Sequence, residues 1–233
     1  MKVIKYLGNL GYGSRREVTR VVKESRVTRR DGSVVREEDA FVHDDILIDG
    51  EPLDPAPGAV LALHKPAGFV CSTQDASRLI YELLPPRFLH RTPVMAPIGR
   101  LDRDTSGLLL ITDDGRINHR LSSPRTHLPK VYEVRLTNDL RGDEANTFAS
   151  GTLMLESETT PLHPATLEVI DARSVRVTLT EGRYHQVRRM FAAVGNHVES
   201  LHRRAIGGLE LGSLEPGTWR VLTASDLACL FAD

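Results

Sequence analysis

Residues 99–115 read Gly99-Arg100-Leu101-Asp102-Arg103-Asp104-Thr105-Ser106-Gly107-Leu108-Leu109-Leu110-Ile111-Thr112-Asp113-Asp114-Gly115. A highly charged turn passes straight into the apolar run Leu108–Thr112, the pattern of a buried strand bounded by turn signals. Asp102 therefore stands at a strand edge, and Gly99 and Gly107 on either side leave room for other backbone to approach. An aspartate so placed can organise the turn through its own side chain, or it can present a carboxylate to something resting on the strand edge. The residue types alone leave both readings open.

On either side of this stretch further strands are expected at Val60–Leu63, Val131–Leu136, Thr166–Ile170 and Val175–Leu179. Asp143–Ala149 reads as a short helix. Tyr184–Val194 reads as a longer one, with Val187, Met190, Phe191 and Val194 at helical spacing before a Gly195-Asn196 stop. Strand and helix do not alternate regularly, which points to an α+β fold with a mixed, largely antiparallel sheet flanked by helices.

The first 58 residues have a different texture. Ser14-Arg15-Arg16-Glu17 has the form of a capping box, and Val18, Val21 and Val22 follow as one apolar stripe of a helix. That stripe leaves Arg15, Arg16, Arg20 and Lys23 free for solvent or phosphate. Val27–Arg36 reads as a hairpin turned at Asp31-Gly32, and Asp45–Leu53 as another strand around Asp49-Gly50. Pro52, Pro55, Pro57 and Gly58 then mark a linker. The reading is a small α+β module at 1–58 and a second domain at 59–233. Residues 1–30 hold nine Lys/Arg against two acids, and residues 31–58 hold Arg36 against nine acids, although the whole chain carries only -1. A basic face of this density can follow a phosphate backbone, or it can simply be solvated.

With 233 residues and 40% hydrophobic content the chain can build proper cores. It has no apolar run of membrane-spanning length and no leader pattern, so a soluble cytoplasmic protein without membrane association is expected. Cys71 and Cys229 are far apart, which suggests neither a disulfide framework nor a zinc site, and Cys71 beside Phe69 and Val70 reads as a small buried residue. His119, His127, His163, His185, His197 and His202 match no common ligand spacing and read as structural or RNA-facing. No phosphate-binding loop is present.

Gly99-Arg100-Leu101-Asp102-x-x-Thr105-x-Gly107-Leu108 resembles the signature motif of the S4-domain-containing rRNA pseudouridine synthase family. Four further segments resemble that family in the right order: Lys65-Pro66 with Gly68-Phe69-Val70, Lys130-Val131-Tyr132, Gly182-Arg183-Tyr184-His185-Gln186-Val187-Arg188-Arg189-Met190, and Leu201 ahead of Arg203 and Arg204. Residues 1–58 resemble the S4 RNA-binding domain, with Ser14-Arg15-Arg16-Glu17 and Arg26-Val27 in place, although Lys2-Val3-Ile4-Lys5 lacks the acid of the usual Arg-Leu-Asp-Lys start.

The resemblance implies Asp102 as catalytic carboxylate, Tyr132 and Leu201 as the walls that hold a flipped-out base, Arg188 as the cation pairing with the carboxylate, and Arg100 as an RNA contact beside the vacated stack. Read singly, Tyr132 shares a strand face with Val134 and Leu136 and would be core, Leu201 would be core, and Arg188 would be a surface charge. The implied reaction breaks C1′–N1, turns the uracil and joins C1′ to C5. It has no redox step and requires no metal or cofactor. The carboxylate either attacks C1′ or removes a proton from C2′, and both routes need it ionised.

Within the family Tyr184-His185, Val70-Cys71-Ser72-Thr73, Ser123-Pro124-Arg125 and Leu201-His202-Arg203 resemble the small-subunit branch. This implies a monomer acting on a single uridine of 16S rRNA in a small-subunit assembly intermediate. The site would be chosen by the N-terminal module and by basic segments between Arg183 and Arg204. The competing readings are a synthase of 23S rRNA, a non-catalytic rRNA-binding assembly factor, and a metal-dependent nuclease.

Overall fold

The structure, a computed structural model, describes residues 1–123 and 126–231, so Pro124 and Arg125 of the Ser123-Pro124-Arg125 motif lie outside the described residues. The chain opens with helices α1 (Val3–Asn9) and α2 (Arg15–Lys23). The capping box is formed: the Ser14 amide donates to Glu17 Oε2 at 2.7 Å, and the Glu17 amide donates to Ser14 Oγ at 3.4 Å. Helix α2 buries Val18 and Val22 against Val3, Leu7 and Leu10 of the α1 region, which leaves Arg15, Arg16, Arg20 and Lys23 exposed.

Strands β1 (Val27–Arg29), β2 (Ile46–Ile48) and β3 (Glu51–Pro52) form a three-stranded antiparallel sheet beside these helices. One sequence expectation is met in part and another is corrected here. The Asp31-Gly32 turn does return the chain antiparallel to β1, with a bridge between Thr28 and Val34, the Arg29 amide donating to the Ser33 carbonyl at 2.8 Å and the Val35 amide to the Val27 carbonyl at 2.9 Å, but the ladder partner of β1 is β2. Pairing with β2 places Ile46 in the same core as Val27, while Val34 stays 40% exposed. The stretch 45–53 is two strands, because Asp49 and Gly50 both take positive φ (55° and 86°) and close a two-residue hairpin.

The charge separation is consumed partly within this unit. Arg26 pairs with Asp49 at 2.6 Å, Arg29 with Asp45 at 3.7 Å and Lys2 with Glu38 at 2.5 Å, while Arg30 Nε donates to the Asp44 carbonyl at 2.8 Å. The acidic segment therefore folds back on the Arg26–Arg30 end and not on α2.

The remainder builds one nine-stranded sheet from β4 (Val60–Lys65), β5 (Ala96–Ile98), β6 (Thr105–Thr112), β7 (Lys130–Leu136), β8 (Thr166–Val169), β9 (Ser174–Leu179), β10 (Val198–Ile206), β11 (Leu209–Glu210) and β12 (Trp219–Val221). Helices α3 (Gly115–Ser122), α4 (Glu144–Ala149), α5 (Gln186–Ala193) and α6 (Ala224–Cys229) cover it. The strand order is β12-β4-β6-β10-β7-β9-β8, with β5 beside β6 and β11 beside β10. The sheet is mixed as expected: the β6/β10 pairing is parallel and the other pairings between named strands are antiparallel.

Alternate residues of β4 and β6 feed two different cores. Val60, Ala62, Leu108 and Leu110 join one, and Leu61, Leu63, Leu109 and Ile111 the other, so both faces of these strands are buried and the sequence is continuously apolar. A third core lies under β7, β9, α4 and α5. At the central β6/β10 seam Gly107 (φ 109°) faces Arg203 so closely that a Cβ would sit 2.2 Å from the Arg203 carbonyl oxygen, which no side chain tolerates.

The residues called a linker are tied down. Asp54 pairs with Arg87 at 2.7 Å, and its amide donates to the Tyr12 hydroxyl at 2.8 Å. The fully buried Arg91 pairs with Asp113 at 2.8 Å and donates to the Pro55 carbonyl. Asp113 also accepts from the Gly58 amide at 2.7 Å, and the Thr92 amide donates to the Asn9 carbonyl at 2.8 Å. No helix among the described residues is long and apolar enough to cross a membrane.

Candidate active site

Asp102 lies in the loop between β5 and β6, and its carbonyl accepts from the Thr105 amide at 3.1 Å, closing the turn. The loop is held from beneath by Lys65, the last residue of β4, which is fully buried. Its ammonium donates to the carbonyls of Thr105 (2.7 Å), Pro66 (3.0 Å) and Arg103 (3.2 Å), and the Gly68 amide donates to the Arg103 carbonyl at 2.7 Å. Burial lowers the Lys65 pKa from the ordinary lysine value, against the field of Cys71, Asp102 and Asp104. Burial likewise pushes the Cys71 thiol up, so it rests as a neutral packing residue.

The Asp102 side chain, 35% exposed, faces a cavity of about 450 Å³, within the range of about 300–1,000 Å³ usual for small-molecule sites. Tyr132 and Leu201 line the same cavity, from β7 and β10, with Arg100. The register explains the convergence: Leu201 pairs with Thr105 on one side and Val134 on the other, and Arg203 pairs with both Gly107 and Tyr132. Thus a loop residue before β6, a β7 residue and a β10 residue meet at one place on the sheet. Leu201 is buried at 4%, so it forms a floor, while the half-buried Tyr132 ring forms a wall.

Arg188 is placed differently from the sequence expectation. It sits in the first turns of α5, and its guanidinium donates to the carbonyls of Val198 (3.1 Å) and Asp104 (3.2 Å), not to the Asp102 carboxylate. The side chain beside the carboxylate is that of His185, whose Nε2 lies 3.4 Å from Asp102 Oδ1. The expected helix 184–194 begins only at Gln186, because His185 takes the left-handed conformation (φ 49°, ψ 33°). That kink turns His185 toward the cavity and leaves Tyr184 stacked on it, ring centroids 4.0 Å apart and planes within 15°, at 76% exposure.

The basic segments between Arg183 and Arg204 are also corrected. Arg183 pairs with Glu158 and Glu181, Arg189 with Glu158, and Arg204 with Glu133 and Glu210. Their guanidiniums are engaged in these ion pairs, and of the three only Arg183 is among the residues that line the cavity. Arg15, Arg16 and Lys23 carry no ion pair among the described residues, and Arg20 lies 3.6 Å from Glu24. Sequence reasoning did not single out Lys65, Lys130, His185 or Arg203 as site residues. His185 had one signal: it precedes a helix yet is no capping residue. Among the described residues no group of three His, Cys, Asp or Glu side chains is placed to hold a metal ion.

Residues 59–193 match the family model described as RNA pseudouridylate synthase. The chain belongs to that family. Over 98% of its length and 99% of the relative's, the synthase is 44% identical to "Ribosomal small subunit pseudouridine synthase A" of Escherichia coli (strain K12). It is 43% identical to the protein of the same name from Yersinia pestis, over 100% of this chain and 99% of that one. A solved pseudouridylate synthase, 37% identical and covering 99% of each chain, superposes with a TM-score of 0.69.

Proposed function

We propose that this synthase converts one uridine of 16S rRNA to pseudouridine, with Asp102 as the catalytic carboxylate acting on a flipped-out nucleotide. The observation that carries this reading is the convergence of the Asp102 carboxylate, the Tyr132 ring and the Leu201 side chain on one cavity of nucleoside size. A base stacked in RNA hides C1′ and C2′, so the nucleotide must leave the stack, and a cavity with a flat wall and an apolar floor receives it. Arg100, exposed at the rim, meets the RNA the base has left. The relatives named for the small subunit support 16S rRNA as substrate. Residues 1–58 act as an S4-like RNA-binding module through Arg15, Arg16, Arg20 and Lys23. The substrate is a small-subunit assembly intermediate, and the enzyme works as a cytoplasmic monomer without cofactor.

The test is pseudouridine mapping of both rRNAs in a strain lacking the gene, complemented with wild type or Asp102→Asn. One pseudouridine in 16S rRNA should vanish, return with wild type and stay absent with the variant, which is close to isosteric but neither base nor nucleophile. Loss confined to 23S rRNA would overturn the substrate assignment, and restoration by Asp102→Asn would overturn the mechanism.

A further inference from the structure

We propose that Arg203, backed by Lys130, is the seat that stabilises the uracil anion released when the glycosidic bond breaks. This rests on the reading of the Asp102 cavity as the active site. Arg203 is 2% exposed yet lines that cavity. Its Nε donates to the Leu108 carbonyl at 2.8 Å and its Nη1 lies 3.5 Å from the Tyr132 hydroxyl, whereas Nη2 is buried with no protein partner. Thr105 Oγ1, on the same wall, is likewise buried and unpartnered. Lys130 also lines the cavity, its ammonium donating to the Leu128 carbonyl at 2.9 Å.

Among the described residues neither Arg203, Lys130 nor Lys65 forms an ion pair, although the neighbouring Arg183, Arg189 and Arg204 all do. Burial, and after it the charge of Arg203, lowers the pKa of Lys130, so these cations crowd one another in a desolvated place. A buried guanidinium without a counter-ion is costly, and a negative charge arriving beside it relieves that cost.

The reaction supplies such a charge whichever route the carboxylate takes. When C1′–N1 breaks, the bonding pair stays on N1 and spreads over O2 and O4. Asp102 either bonds to C1′ or takes the proton from C2′, and in both cases uracil departs as an anion. Its C5 then bonds to C1′ as the carboxylate leaves C1′ on the first route, or as Asp102 hands the proton back to C2′ on the second, and C5 loses a proton while N1 gains one. Neutral uridine draws little from Arg203 and Lys130, but the anion draws much more, so the cations favour bond cleavage over substrate binding.

The test compares Arg203→Met, Arg203→Lys and Lys130→Met in single turnover on small-subunit assembly intermediates reconstituted from 16S rRNA transcripts containing either uridine or 5-fluorouridine, read as loss of the parent nucleoside by mass spectrometry. Fluorine at C5 stabilises the departing anion chemically, so the protein's help matters less. Arg203→Met should slow uridine by about 100-fold or more but 5-fluorouridine by less than about 10-fold, with Arg203→Lys recovering part of the rate. Lys130→Met should show the same inequality on a smaller scale and serves if Arg203→Met does not fold by thermal melting. Equal losses on both substrates would overturn the proposal and leave these residues with a purely structural role. Activity surviving Asp102→Asn would instead remove the underlying reading of the cavity.

Discussion

Lys65 shows what a single buried side chain contributes to the site. Two of its three carbonyl acceptors, Arg103 and Thr105, belong to the segment that follows Asp102 and the third is the adjacent Pro66, so one ammonium ties the loop to the end of β4. Lys65→Met keeps the length but strands those carbonyls without their donor, a loss of about 1–3 kcal/mol of stability. The expected result is a folded protein with a lower urea midpoint and a kcat reduced more than KM is raised; an unaltered kcat would show that the loop holds itself. That Asp102, Tyr132 and Leu201 would meet at one cavity was legible because each sits in a motif that resembles the family's, in the family's order. Arg188 and His185 were not, since their placement turns on one left-handed residue at position 185 that no propensity announces.

Among the elements, β6 declared itself because both its faces are covered, giving an unbroken apolar run. Strand β10, equally central, escaped notice: Glu199, Ser200, His202, Arg203 and Arg204 make it look like a surface segment, and only its place between β6 and β7 makes it a strand. The polar residues of β10 include the one whose guanidinium enters the cavity wall. Helix α4 was read correctly within one residue, and its first position carries a further consequence. Glu144 is buried at 1% and accepts from the amides of Arg141 and Gly142, each at 2.8 Å. Burial alone would raise its pKa, but these amides, with the amide of Glu144 itself and the Arg141 charge, outweigh burial and hold the carboxyl below its ordinary value. A carboxylate lowered in the folded state contributes stability that is present above its unfolded pKa and lost as pH falls through the folded one. Glu144→Gln should therefore lower stability by about 1–3 kcal/mol at pH 7 and shrink the acid-side decline. Urea titrations at pH 7 and in the acid range check this, and parallel curves for both proteins at every pH would refute it.

For the whole molecule, the charge pattern foretold a basic face but not which of its members would be spent internally. Arg26, Arg29 and Arg30 are occupied by the acidic segment, whereas Arg15, Arg16 and Arg20 on α2 stay exposed, Arg20 within 3.6 Å of Glu24, and are the proposed phosphate contacts. Changing all three to Gln should flatten the log Kd against log salt dependence by about two units, taking about 0.7 per single-stranded phosphate contact. Filter binding of 16S rRNA fragments between low and moderate salt measures it, and an identical slope would assign these arginines to solvent.

The junction at Arg87, Arg91, Asp54 and Asp113 gives the molecule a metric property. A chain segment rich in proline suggested a tether, on which one unit wanders relative to the other. The buried Arg91 pair and the bonds from Tyr12, Pro55, Gly58 and Asn9 make it a fixed joint instead. Helix α2 and the Asp102 cavity are consequently set a constant span apart, like the jaws of a caliper locked at one opening. On the proposed reading, an RNA gripped by the first jaw would offer the second only those nucleotides that its own fold carries to that distance, and target choice would be a measurement of RNA shape and not a reading of bases.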